Sequence, residues 1–147
     1  TILLSGRPGA PAGSEVDVHV AVRTGPEAVT GSTRLKAGTA QKLALNALST
    51  ATMVRCGRTW SNLMVGAVVT NSKLRGRLAA ALVAATGEDP DRCEIAVENA
   101  DGDGRVALLT LLSGVSVPVA RRALASTGGH LREALGVLGT AHAAPNG

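Results

Sequence analysis

Gly25-Pro26-Glu27-Ala28-Val29-Thr30-Gly31-Ser32-Thr33-Arg34-Leu35-Lys36-Ala37-Gly38-Thr39-Ala40-Gln41-Lys42 is the stretch whose reading decides the fold. Gly25-Pro26 ends the pattern before it, and Thr30 to Thr33 offers hydroxyls, a flexible backbone and a helix N-cap in four residues. It reads as a loop feeding a helix. Such a helix start gathers free backbone N–H groups and the positive end of the helix dipole, which suits a phosphate or another anion. Arg34, Lys36 and Lys42 add cations. Lys36 and Lys42 point in different directions on one straight helix, so only one can reach the same phosphate, and Lys36 is nearer the helix start.

Upstream, Thr1-Ile2-Leu3-Leu4 is an apolar run ending at Ser5-Gly6-Arg7-Pro8-Gly9, the reading of a buried parallel strand followed by a loop. Residues 10–14 continue the loop. Glu15 to Arg23 then alternates, with Val16, Val18, Val20 and Val22 on the expected buried face and Asp17, His19, Ala21 and Arg23 on the wet one. His19 is read as a surface histidine, since no Cys, Ser or acid nearby completes a catalytic constellation.

Downstream, Arg34 to Arg55 is a long helix, apolar nearly all round and therefore expected to be buried on all sides, with Gly57 just past its end. Gly57 to Asn62 is a turn, and Leu63 to Val69 is another strand-like run. Short apolar strands around one long helix are the pattern of an α/β domain. From Asn71 the pattern is helical only. Ser72 to Thr86 is stopped by Gly87; Asp89 caps a helix with Pro90 in its first turn, running to Ala100; Arg105 to Ser113 is stopped by Gly114. Ser116 caps the next, Gly128-Gly129 breaks it, and His130 to Leu138 is the last. Asn99 to Gly104 spaces its oxygens like a calcium loop, but Thr110 stands where a bidentate Glu is needed, so a plain interhelical turn is expected.

The 147 residues are 45% hydrophobic and 18% charged, enough for a packed core. One Trp, no Phe and no Tyr leave that core to Ala, Leu, Val and Ile and remove the stacking platform of single-strand nucleic-acid binders. The net charge of +4 is spread along the chain, which reads as a solvated surface. Cys56 and Cys93 lack a C-x-x-C or metal spacing and read as two reduced, partly buried thiols of a cytosolic protein. The apolar run Val106 to Ala120 is interrupted by Ser113-Gly114 and Pro118, so no membrane span is expected, and the N-terminus does not read as a secretion signal. A cytoplasmic place follows as an expectation.

Along all eighteen positions Gly25 to Lys42 resembles the signature segment of the N-acetylmuramic acid 6-phosphate etherases and the related glucokinase regulatory proteins, and the resemblance continues to about Leu135. It implies an α/β fold: the second half of a flavodoxin-like sugar isomerase (SIS) domain in residues 1–70, a connecting helix in 71–86, an all-α bundle similar to ubiquitin-associated domains in 87–139, and a disordered tail in 140–147. It implies cleavage of the lactyl ether of N-acetylmuramic acid 6-phosphate to N-acetylglucosamine 6-phosphate and D-lactate, by elimination and addition of water, without a cofactor or metal. Two carboxyl groups of different pKa are wanted for that chemistry. The family's two acid/base glutamates and its Gly-Thr-Ser-Gly-Arg phosphate loop have no counterpart among these residues, so the chain reads as a C-terminal portion, inactive by itself and liable to expose an apolar sheet edge. No catalytic residue is assigned within it.

The substrate-binding candidates are Glu27, Ser32, Thr33, Arg34 and Lys36. Glu27 is either a contact to sugar hydroxyls, Arg34 or Lys36, or an acceptor that orders the loop; Ser32 and Thr33 are either ligand contacts or helix caps. The partners implied are a sugar phosphate and either a second copy in a homodimer or a separately supplied N-terminal half, with no nucleic acid and no membrane. The alternative function is a non-catalytic sugar-phosphate-binding or regulatory module.

Overall fold

A computed structural model describes residues 1–9, 13 and 15–142, with the backbone alone for 140–142. The fold is mixed α/β and mostly helical, with little sheet. The chain divides into two compact units between Thr52 and Met53.

In the first unit, strands β1 (Ile2–Ser5) and β2 (Val18–Ala21) pair in parallel, with Ile2 opposite Val18, Leu3 opposite His19, Leu4 opposite Val20 and Ser5 opposite Ala21. The period of two puts Ile2, Leu4, Val18 and Val20 on one face and Leu3, Ser5, His19 and Ala21 on the other. Neither face is fully buried: Val18 and Val20 are 50% and 43% exposed and Asp17, Ala21 and Arg23 are exposed, while Val16, His19 and Val22 are half-buried. Ile2, Leu4 and Val20 line an apolar groove with Ala44, Leu45 and Leu48 of helix α1 (Lys36–Arg55).

Helix α1 corrects a second expectation. None of its residues is buried, and Leu43, Leu45 and Leu48 are 60%, 55% and 49% exposed. Two four-residue strands offer too little surface to cover twenty helical residues that are apolar nearly all round.

The second unit begins with β3 (Thr59–Trp60) and β4 (Leu63–Met64), a short antiparallel pair. The strand expected over Leu63 to Val69 stops after Met64 because the amides of Val65 and Gly66 both donate to the carbonyl of Arg58, two residues against one, which ends the ladder. Five helices follow: α2 (Ser72–Thr86), α3 (Pro90–Asn99), α4 (Gly104–Ser113), α5 (Val117–Ser126) and α6 (Leu131–His142). α6 continues four residues past Leu138, through positions expected to be frayed; residues 143–147 of the expected tail lie outside the described residues.

Local chemistry sets the helix starts. The Asn71 side chain accepts from Leu74 N–H, Asp89 from Asp91 N–H, and Asp103 from Arg105 and Val106 N–H, whereas Ser116 makes no side-chain cap bond. Asp103 is thereby a cap, and the exposed Asp101 pairs with Arg121 at 2.8 Å, so both aspartates of the Asn99–Gly104 turn have partners within the chain. The core is aliphatic: Val65, Leu82, Val97, Leu108 and Leu109 are fully buried, with Ala100, Ala107, Ala120 and Ala134 between the helices. Alanines let the helices approach closely. Gly104 does so most tightly, since a Cβ there would stand 2.4 Å from the Val65 carbonyl oxygen and 2.5 Å from Leu78. Cys93 is fully buried, while Cys56 is exposed rather than partly buried. No single helix among the described residues is long and apolar enough to cross a membrane.

Candidate functional site

The loop after β2 and the start of α1 enclose a cleft of about 620 Å³ with the turn that follows β1. Its lining includes Ser5, Gly6 and Arg7 from that turn, Gly25, Glu27, Thr30, Gly31 and Thr33 from the signature loop, and Ala37 and Gln41 from α1. The position follows from strand direction: both parallel strands end at this side, where loops of α/β units collect their ligands.

Glu27 is the key to the loop. Its Oε2 accepts from Lys36 N–H at 2.8 Å and its Oε1 from Ala37 N–H at 2.9 Å, so one carboxylate closes the first turn of α1 from nine residues upstream. The next amides are also taken: Gly38 N–H donates to the Thr33 carbonyl at 2.8 Å and Thr39 N–H to that of Leu35 at 3.2 Å. The helix start expected to greet a phosphate is therefore already occupied by Glu27. The amide of Ala37, and after it that of Lys36, holds the Glu27 carboxyl below its ordinary pKa. Glu27 performs the loop-ordering role, and it is the one carboxylate lining the cleft among the described residues.

The other candidates are only partly brought together. Thr33 lines the cleft, but Ser32, Arg34 and Lys36 are not among its lining residues. Neither Ser32 nor Thr33 caps α1 through its hydroxyl in any described bond; the cap is Glu27. Lys36 bends back over the loop, its Nζ 3.9 Å from where a Cβ on Gly25 would stand, and Arg34 is exposed.

Two cleft residues escaped the sequence reading. Arg7 lines the cleft, and Ser5 lies 2.8 Å from His19 Nε2 through its Oγ. The sequence reading left His19 without a partner because Ser5 is fourteen positions away; the parallel register brings them to one face. That signal was in the sequence, in two apolar runs read as parallel strands, but needed the register to be used.

No protein-family model matches the chain. Among curated proteins, an N-acetylmuramic acid 6-phosphate etherase of Thermobifida fusca is 56% identical over 113 residues, covering 77% of this chain and 37% of the relative. The etherase of Deinococcus radiodurans is 46% identical over 136 residues, 92% of this chain and 45% of its own length. That of Streptomyces coelicolor is 53% identical over 116 residues, 79% and 37% of the two chains. The chain thus spans about two fifths of the length of the curated relatives it matches. Identity of this degree along most of the chain shows that the chain belongs to the N-acetylmuramic acid 6-phosphate etherase family and matches the C-terminal portion of its members.

Proposed function

We propose that these residues serve as the C-terminal part of an enzyme that cleaves the D-lactyl ether of N-acetylmuramic acid 6-phosphate, a carbon–oxygen lyase reaction giving N-acetylglucosamine 6-phosphate and D-lactate. The observation that carries this is the 46–56% identity to curated etherases. The cleft beside Glu27 is the sugar-phosphate surface in this reading, with Glu27, Ser32, Thr33, Arg34 and Lys36 as its original candidates. Glu27 orders the loop; Lys36 is nearer the helix start than Lys42 but does not line the cleft. The two proton-transferring carboxylates of the elimination come from residues outside this chain, because the one carboxylate lining the cleft among the described residues is committed to the amides of α1.

Parallel β1 and β2 with α1 support reading residues 1–70 as half of a sugar isomerase domain, and the packed α3, α4 and α5 support a ubiquitin-associated-like bundle in 87–139. α2 serves as the connecting helix of 71–86. β3 and β4 belong by sequence to the first part and by packing to the helices. A homodimer, or a separately supplied N-terminal half, would cover the exposed leucines of α1, and a cytoplasmic place suits the substrate.

One observation favours a second reading, a non-catalytic sugar-phosphate-binding module: a cleft whose one acid among the described residues is a helix cap can hold a sugar without moving its protons. Release of D-lactate separates the two. These 147 residues are expected to release none from N-acetylmuramic acid 6-phosphate, whereas a chimera carrying the preceding residues of the Thermobifida fusca relative is expected to release it. Turnover by the 147 residues alone overturns the division of labour, and a folded, substrate-binding chimera without turnover leaves the binding module.

A further inference from the structure

We propose that His19, acting through Ser5, is a positioning residue that fixes the Ser5–Arg7 turn and thereby presents Arg7 to the cleft as the contact for the anionic group of a sugar acid or sugar phosphate. The inference rests on the sugar-binding reading of the cleft. Four observations carry it. Ser5 Oγ donates to the Arg7 carbonyl at 2.9 Å, closing a local turn over Gly6. A serine hydroxyl has one proton, so with that proton on Arg7 the 2.8 Å contact to His19 must run the other way, Nε2–H donating to Oγ. His19 is half-buried on β2 and is set diagonally across the parallel pair from Ser5, so its ring is held by the strand register rather than by the loop. Arg7 lines the cleft and forms no ion pair among the described residues.

The alternatives for an anion are weaker. The first-turn amides of α1 are taken by Glu27, Thr33 and Leu35, and Lys36 does not line the cleft. Arg7 is the sole cationic side chain that does, among the described residues. Its planar fork suits a carboxylate or a phosphate equally, so the shared chemistry is a singly or doubly charged oxyanion on an amino sugar. Glu27, which also lines the cleft, disfavours an anion beside its own carboxylate. Together they orient a sugar that is charged at one end.

Calorimetric titration of the 147-residue chain tests this with three probes: N-acetylglucosamine 6-phosphate carries a phosphate, N-acetylmuramic acid a carboxylate, and N-acetylglucosamine neither. One of the two charged sugars is expected to bind more tightly than the neutral one, which identifies the anion. Arg7→Ala is expected to weaken that sugar about tenfold or more and leave the neutral sugar unchanged, with Arg7→Lys intermediate. His19→Ala is expected to weaken it severalfold, and His19→Gln, whose amide can donate from the place of Nε2, to restore it. Nitrogen NMR of the neutral His19 ring is expected to show the proton on Nε2, and Ser5→Ala to release that preference. Equal binding of all three sugars, an Arg7→Ala variant that binds like the parent, or a proton on Nδ1 with His19→Ala binding unchanged, each overturns the inference. D-lactate release by the chimera with Arg7→Ala binding unaltered would sink it while the proposed function stands; Arg7-dependent binding without release would do the reverse.

Discussion

The two units solve the same problem, a chain rich in Ala, Leu and Val with almost no aromatics, in opposite ways. In the second, the helices bury residues against one another, α4 on nearly all sides, and Leu82, Leu108 and Leu109 are fully inside. In the first, a longer and equally apolar helix has no buried residue, and Leu43 is 60% exposed. Hydrophobicity of a segment measures what it could bury, while the surface available beside it decides what it does bury. Order in the first unit comes instead from directed bonds: Glu27 on α1, His19 on Ser5, Ser5 on Arg7.

The contrast is broken most severely in the core. Leu108→Ala is expected to lose about 2–5 kcal/mol in urea unfolding followed by helical circular dichroism, whereas Leu45→Ala, at 55% exposure, is expected to lose under about 1 kcal/mol. Equal losses would mean that α1 is covered in solution. Gly104→Ala is expected to cost about 1–3 kcal/mol, since a methyl 2.4 Å from the Val65 oxygen forces α4 away from its neighbours; an unchanged midpoint would refute that close approach.

Glu27 sharpens the comparison by pH. Its carboxyl is held below its ordinary pKa of 4.5, so the folded state binds the proton less readily than the unfolded one. The stabilisation is full above the unfolded pKa and is lost as pH falls through the depressed folded value. Amide NMR signals of Lys36 and Ala37 should move in that acid window, Glu27→Gln should remove the transition, and the signals of α4 should stay still. The smallest effect belongs to the exposed Arg121–Asp101 pair, where Asp101→Asn is expected to change stability by about 0.5 kcal/mol or less.

Much of this was legible in the sequence, for reasons that differ by element. The helices of the second unit could be placed because caps and stops are local: Asn71, Asp89 and Gly114 act within four residues of where they stand. The run after Leu63 was misread as one strand because its bulge depends on Arg58, several residues back. The burial of α1 was misjudged because periodicity shows appetite for contact and not its supply. At the cleft, the choice between Glu27 as ligand contact and as loop acceptor rested on geometry no spacing encodes. His19 was set aside because Ser5 is distant in the chain, although strand register makes them neighbours.

Trp60 lies in the second unit, with the guanidinium of Arg132 4.9 Å from its ring centre. It is the chain's single aromatic ring of the Phe, Tyr and Trp set, so near-ultraviolet absorption and intrinsic emission both originate at one spot. The residues lining the cleft of the first unit include no Phe, Tyr or Trp. Quenching of the indole therefore reports on its own surroundings in the second unit, beside Arg132.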